Sequence, residues 1–178
     1  AAASSGAVAM FHAVGVTPEA ETLEQACAGS CSGLDPVELE SAALLRAASG
    51  LCQALPGEQV AAMCVGTPHF SLAEFEQLAR LVRGRAAADA VQVLVSTSRE
   101  TAARLQKENW AQDLWVFGVD IVVDTCTYLS PVALQGEGAV VTNSAKWAHY
   151  APGNIRRRAA LMGLQRCVRC AVAGEVVP

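Results

Sequence analysis

The chain has 178 residues, of which 52% are hydrophobic and 17% charged, with a formal net charge of -4. That length suits one domain, or one large domain with a small appendage, and allows a substantial core, which excludes disorder. The acidic balance excludes the basic footprint a nucleic-acid backbone requires, and no apolar run of about 20 residues is present to span a membrane.

The chain opens Ala-Ala-Ala-Ser-Ser-Gly without Met, as expected of a processed product, an excised domain or a fragment of a longer chain. Residues 1–18 carry no charge, yet the cationic leader of a signal peptide is missing. Residues 8–16 read as a buried strand, followed by Thr17 as N-cap, Pro18 at the first helical position and Glu19 and Glu21 in the first turn. Asp35, Pro36 and Glu38 repeat the start signal, Val37, Ser41, Leu44, Leu45 and Ala48 fall on one helical face, and Gly50 is a stop. Residues 59–65 form a short apolar run. After it, Ser71 with Glu74 makes a capping box, with Phe70 and Phe75 at the hydrophobic-staple positions. Phe75, Leu78, Ala79 and Val82 give that helix its core face, and Gly84 lies just past its end.

Val91 to Val95 is the next strand, and Thr97 with Glu100 is expected to cap the helix after it. Ile121 to Val123 and Ala139 to Val141 are further compact strands; Ala159 to Met162 is a short one before a helix from Leu164 to Ala173, closed by Gly174. Strands alternating with helices imply right-handed crossovers. The expected fold is α/β, a three-layer, mainly parallel sheet with helices on both faces, and residues 1–178 read as a single α/β segment.

In a parallel sheet the strand ends share one edge, the usual place for a ligand in an open α/β sheet. Those ends carry Gly15-Val16-Thr17-Pro18, Gly66-Thr67-Pro68-His69, Ser96-Thr97-Ser98, Asp124-Thr125-Cys126 and Thr142-Asn143-Ser144-Ala145-Lys146. Each alone is ordinary helix-start chemistry. Together they converge on a pocket with one thiol, one imidazole and one amine. Cys126 is the candidate metal position, because a thiolate beside loop amides can bind iron or zinc; the bland reading is a buried apolar Cys. His69 is a ligand, an acid or a substrate donor, or else part of a packed turn. Lys146 is a carboxylate anchor or a solvated helix residue.

Seven cysteines, an odd number, fit free thiols and metal ligands better than an extracellular disulfide framework, so a reducing, cytoplasmic location is expected. Cys167 and Cys170 lie inside a helix and read as core thiols, while Cys27 and Cys31 lack a second pair at zinc-site spacing. Arg156, Arg157 and Arg158 form a basic run suited to a partner domain or a phosphate, or simply a solvated loop.

At these strand ends the sequence resembles the aconitase X family of hydro-lyases. The matching segments are Ser4-Ser5-Gly6 through Val14 to Ala20, Gly66-Thr67-Pro68-His69-Phe70-Ser71, Asp124-Thr125-Cys126, and Thr142-Asn143-Ser144-Ala145-Lys146 through His149-Tyr150-Ala151-Pro152-Gly153. The resemblance implies an aconitase-like fold and covers the C-terminal part of the family's large catalytic unit. It implies as partners the remainder of that unit, a small swivelling domain and a small carboxylate substrate, with no nucleic acid or membrane.

It further implies iron or an iron–sulfur cluster held by three cysteines, with Cys126 among the metal ligands. Ser144, Lys146 and His69 are the implied catalytic residues, and Ser4, Ser5, Thr67 and Asn143 the implied substrate-binding ones. The loop Gly-Thr-Pro-His-Phe-Ser is similar to the bacterial type, which dehydrates cis-3-hydroxy-L-proline to a pyrroline-2-carboxylate. The alternatives are part of a mevalonate 5-phosphate dehydratase and a non-catalytic partner-binding domain.

Overall fold

The run Val-Ala-Ala-Met-Cys-Val at Val60–Val65 becomes strand β1, all six residues buried, in the computed structural model, which describes residues 7–129 and 134–178. It is the middle of a five-stranded sheet. The other strands are β2 (Gln92–Thr97), β3 (Val119–Val123), β4 (Ala139–Thr142) and β5 (Ala159–Leu161), in the order β3-β2-β1-β4-β5 with every pair parallel. Successive side chains along a strand point to opposite faces, so β1 sends Met63 and Val65 into one core and Ala62 and Cys64 into the other.

The first core is covered by α3 (Leu72–Val82), α4 (Arg99–Leu105), α5 (Gln112–Phe117) and α7 (Leu164–Ala173), which contribute residues such as Leu78, Leu105, Phe117 and Cys167. The second is covered by α6 (Ala145–Ile155) through Trp147, Ala148 and Ala151, with Tyr128 and Leu134 beside it. The three-layer α/β architecture is therefore present. Between α4 and α5 lies a 3-10 turn at Asn109–Ala111.

The predicted start of α3 is found in full. Ser71 Oγ accepts from Glu74 N at 3.3 Å, the Glu74 carboxylate accepts from Ser71 N at 2.8 Å, and the Phe70 and Phe75 rings meet edge to face at 5.3 Å. Phe75, Leu78, Ala79 and Val82 are the buried face. Ser71→Ala should cost about 1 kcal/mol, read as a lower urea midpoint with an unchanged slope. At the next helix the expected cap is displaced by one residue: Thr97 stays in β2 and donates to Phe70 O at 2.7 Å, while Ser98 Oγ caps α4 by accepting from Thr101 N at 3.1 Å. Strand pairing of Thr97 with Val123 outcompetes the cap.

The chain divides into two units, Ala1–Leu44 and Leu45–Pro178, with the sheet in the second. In the first, the strand expected at 8–16 is not formed among residues 8–16, and Met10 and Phe11 are 73% and 72% exposed. Thr17 does not cap a helix there. Its hydroxyl accepts from Ala13 N at 2.9 Å and closes a turn, the local competition a Thr side chain offers to regular structure. The capped helix comes later, as α1 (Leu23–Ala26), with Thr22 and Gln25 as a capping box.

The next helix, α2 (Ser41–Gly50), starts beyond the predicted Pro36 signal, and its Leu44 and Leu45 are exposed, not core. Cys27 and Cys31, for which the sequence suggested no pairing, form a disulfide with Cα atoms 5.5 Å apart. Cys52, Cys64, Cys126, Cys167 and Cys170 are free. No helix among the described residues is long and apolar enough to cross a membrane.

Candidate functional site

The order of the strands creates a crevice. From β1 the chain winds outward through β2 to β3, then returns to place β4 on the other side of β1, so the loops after β1 and β4 diverge at a topological switch point. Those loops are Gly66-Thr67-Pro68-His69 and Thr142-Asn143-Ser144, the latter running into α6 with Lys146 in its first turn.

The first loop needs a glycine. Gly66 has φ +88°, and a Cβ there would run into the carbonyl oxygen of Ser96, which accepts from Phe70 N at 2.9 Å. The Thr67–Pro68 bond that follows is cis. Thr67 is buried and its Oγ1 has no hydrogen-bond partner among the described residues; the same holds for Ser96 Oγ near the end of β2. Buried polar atoms are normally paired, so two orphans at one sheet edge mark it as a place where a ligand's polar groups would be welcome.

Ser144 joins the two loops. Its hydroxyl donates to Thr67 O at 2.9 Å and accepts from Trp147 N at 3.1 Å, capping α6. Its own N–H donates to Thr142 Oγ1 at 3.1 Å. Lys146 is half-buried and makes no ion pair with the described residues, and Asn143, just before Ser144, is half-buried too.

The third loop arrives from further away. β3 lies two strands from β1, but after Asp124 the chain turns across the second face of the sheet. There Thr127, 2% exposed, accepts from the Trp147 indole Nε1–H at 2.8 Å, and its hydroxyl also lies against the Cys64 thiol. Burial is the main reason that thiol is pushed up to about 12, the contact with Thr127 opposing it, so Cys64 is neutral.

Cys126 is half-buried on this loop, beside Tyr128, whose ring stacks on Tyr150 of α6 at 5.2 Å. Burial first, then the hydrogen bond to Cys126, raises the Tyr128 hydroxyl above its ordinary value. Cys167 is also pushed up, chiefly by burial, which agrees with the expected core thiol.

Asp124, at φ +55°, opens the loop by holding α4: it accepts from Arg99 N at 3.1 Å and from Arg99 Nε at 2.5 Å. Those bonds hold its carboxyl below the usual carboxylate range, and the charge of the exposed His69 adds a smaller pull in the same direction. A depressed folded-state pKa gives stability that is present above the unfolded value and lost as pH falls through the folded one. Asp124→Asn should therefore lower the urea midpoint at pH 7 and remove part of the decline below pH 3.8, the ordinary value. Equal pH slopes for both proteins would contradict it.

Thr67 and Ser144 thus meet at the β1/β4 switch point, Asn143 and Lys146 flank Ser144 in sequence at the start of α6, and Cys126 lies toward α6 on the second face. Ser4 and Ser5 lie outside the described residues. No group of three or more His, Cys, Asp or Glu side chains able to share a metal ion occurs among the described residues. A hollow of about 350 Å³ lined by Gly163, Gln165, Arg166 and Arg169 lies beyond β5 and contains none of the candidates.

The basic run lies elsewhere too. Residues 156–158 precede β5, at the opposite edge of the parallel sheet, where Arg157 donates to Gly136 O at 2.6 Å and Arg158 pairs with Glu58 at 2.6 Å. Thr127 and Trp147, which hold the third loop, carried no signal in the sequence beyond the rule that a buried indole N–H needs an acceptor.

Comparison with known proteins gives matches along both units. The family model described as "Aconitase X third domain" matches residues 60–173, and "Aconitase X second domain" matches residues 1–49. The chain is 39% identical over 174 residues to a protein named cis-3-hydroxy-L-proline dehydratase from Hypocrea jecorina, covering 97% of this chain and 29% of that one. It is 31% identical over 180 residues to a phosphomevalonate dehydratase large subunit from Methanosarcina mazei, covering 98% of this chain and 40% of that one. Among solved structures, the crystal structure of Thermococcus kodakaraensis aconitase X (holo-form) superposes with a TM-score of 0.69 at 20% identity, over 82% of this chain and 37% of that chain. The chain thus spans well under half the length of each of these proteins.

Proposed function

The chain belongs to the aconitase X family, and on that premise we propose that it is part of the large catalytic unit of an iron-dependent hydro-lyase that dehydrates cis-3-hydroxy-L-proline to a pyrroline-2-carboxylate. The observation that carries this reading is the β1/β4 crevice, where the two strand-end loops bring a half-buried lysine and a buried hydroxyl, neither partnered among the described residues, and an amide to one edge of the sheet. A small hydroxylated carboxylate needs such partners.

In this reading Lys146 and Asn143 hold the carboxylate, the Thr67 hydroxyl donates to the substrate, and Ser144 sets the Thr67 loop against α6. His69 orients the departing 3-hydroxyl or donates a proton to it. Ser4 and Ser5 are proposed to complete the substrate contacts, and the base that takes the proton alpha to the carboxylate is proposed to lie outside this chain, on a small swivelling domain.

Cys126 fits as a contributor of one ligand to iron or an iron–sulfur cluster. It is a soft thiol at the strand-end edge, half-buried and on an irregular loop. The remaining ligands are proposed to come from the rest of the large unit. Iron, when bound, supplies Lewis acidity toward the leaving hydroxyl. A cytoplasmic location is part of the proposal, supported by the five free cysteines.

A mevalonate 5-phosphate substrate would require a dianion pocket, and Arg157 and Arg158 lie at the opposite edge of the sheet in contacts of their own. The assembled unit, reconstituted with iron without oxygen, is expected to turn over cis-3-hydroxy-L-proline. Turnover of mevalonate 5-phosphate alone would overturn the substrate assignment.

A further inference from the structure

The loop bearing Cys126 begins at β3, two strands from the crevice that holds Lys146, and it crosses the second face of the sheet to reach α6. Among the described residues, one side-chain hydrogen bond ties it to that helix: the Trp147 indole N–H to the Thr127 hydroxyl, 2.8 Å, with Trp147 0% and Thr127 2% exposed. Thr127 follows Cys126 directly, and Trp147 follows Lys146 directly.

We propose that Trp147 and Thr127 are positioning residues, whose buried hydrogen bond fixes the Cys126 loop against the first turn of α6 and so sets the thiol and the Lys146 ammonium relative to each other. The inference rests on the dehydratase reading for its purpose, though not for its geometry. Trp147 suits the task because its backbone N–H is already taken by Ser144 Oγ and its ring is packed among Ala62, Ala148 and Ala151, leaving the indole little freedom to swing. Supporting partners of metal ligands are often worth about 10- to 100-fold in metal affinity. The arrangement here holds the ligand's loop, not its sulfur.

The test uses the 178-residue chain, iodoacetamide and site-resolved mass spectrometry. In Trp147→Phe and in Thr127→Val, Cys126 should alkylate about three- to tenfold faster than in the parent, as expected from losing one buried hydrogen bond. Thr127→Ser keeps the oxygen and should restore the parent rate, and buried Cys167 should stay unreactive throughout.

A Cys126 rate unchanged in Trp147→Phe, or equal in Thr127→Ser and Thr127→Val, would overturn the proposal. If Thr127→Val exposes Cys167 by unfolding, Trp147→Phe decides alone; exposure of Cys167 there also overturns it, because the bond would then hold the whole fold. Iron content of the assembled parent separates the two claims. Altered rates with no iron would sink the dehydratase reading and keep this one, and unchanged rates with iron bound would do the reverse.

Discussion

Lys146→Met, introduced into the assembled catalytic unit, should lower kcat/KM for cis-3-hydroxy-L-proline by about 10²- to 10³-fold, or about 3–4 kcal/mol of transition-state stabilisation. The argument starts from what surrounds the ammonium. Lys146 stands in the first turn of α6, half-buried, with no ion pair among the described residues, so on the proposed reading a substrate carboxylate would meet an uncompensated cation at the positive end of a helix. Methionine keeps the length and packing of the stem while removing the charge. A solvated lysine with no such duty would leave kcat/KM within about twofold of the parent, since surface substitutions of that kind change little.

Phe75→Ala should cost about 3–5 kcal/mol, measured by urea unfolding of the chain, because it removes a fully buried ring and the surrounding core relaxes only in part. Phe75 is 0% exposed, packs edge to face on Phe70, and is the first core residue of α3. The loss propagates to the crevice. Phe70 N donates to Ser96 O and Phe70 O accepts from Thr97, so the staple also anchors the loop carrying Thr67 and His69. A cost below about 1 kcal/mol would mean that the ring's space is refilled.

Local signals with one dominant cause were legible in the sequence. The Ser71 to Glu74 box and the phenylalanine staple need only neighbouring residues, and α7 runs from Leu164 to Ala173 as its period and Gly174 imply. The strand ends were legible as a set because a parallel sheet must bring them to one edge.

What was not legible depends on partners distant in sequence. Residues 8–16 have a strand's composition, but a strand also needs a neighbour to pair with, and Thr17 turns the chain instead. Helix α6 was hidden by Pro152 and Gly153; the structure tolerates Pro152 in its last turns and ends the helix at Arg156 in the left-handed conformation. Ser144 reads as polar and available in the sequence, yet its hydroxyl is engaged by Thr67 O, 77 residues away. The Trp147 to Thr127 bond spans 20 residues, and no periodicity announces it.

On the proposed reading, this chain supplies one iron ligand and the carboxylate grip of a dehydratase. The most direct measurement is bound iron and cis-3-hydroxy-L-proline turnover in the anaerobically reconstituted unit, parent against Cys126→Ser. Iron and pyrroline-2-carboxylate formation are expected in the parent, with both lost or sharply reduced in Cys126→Ser. Full iron and full turnover in Cys126→Ser would contradict it.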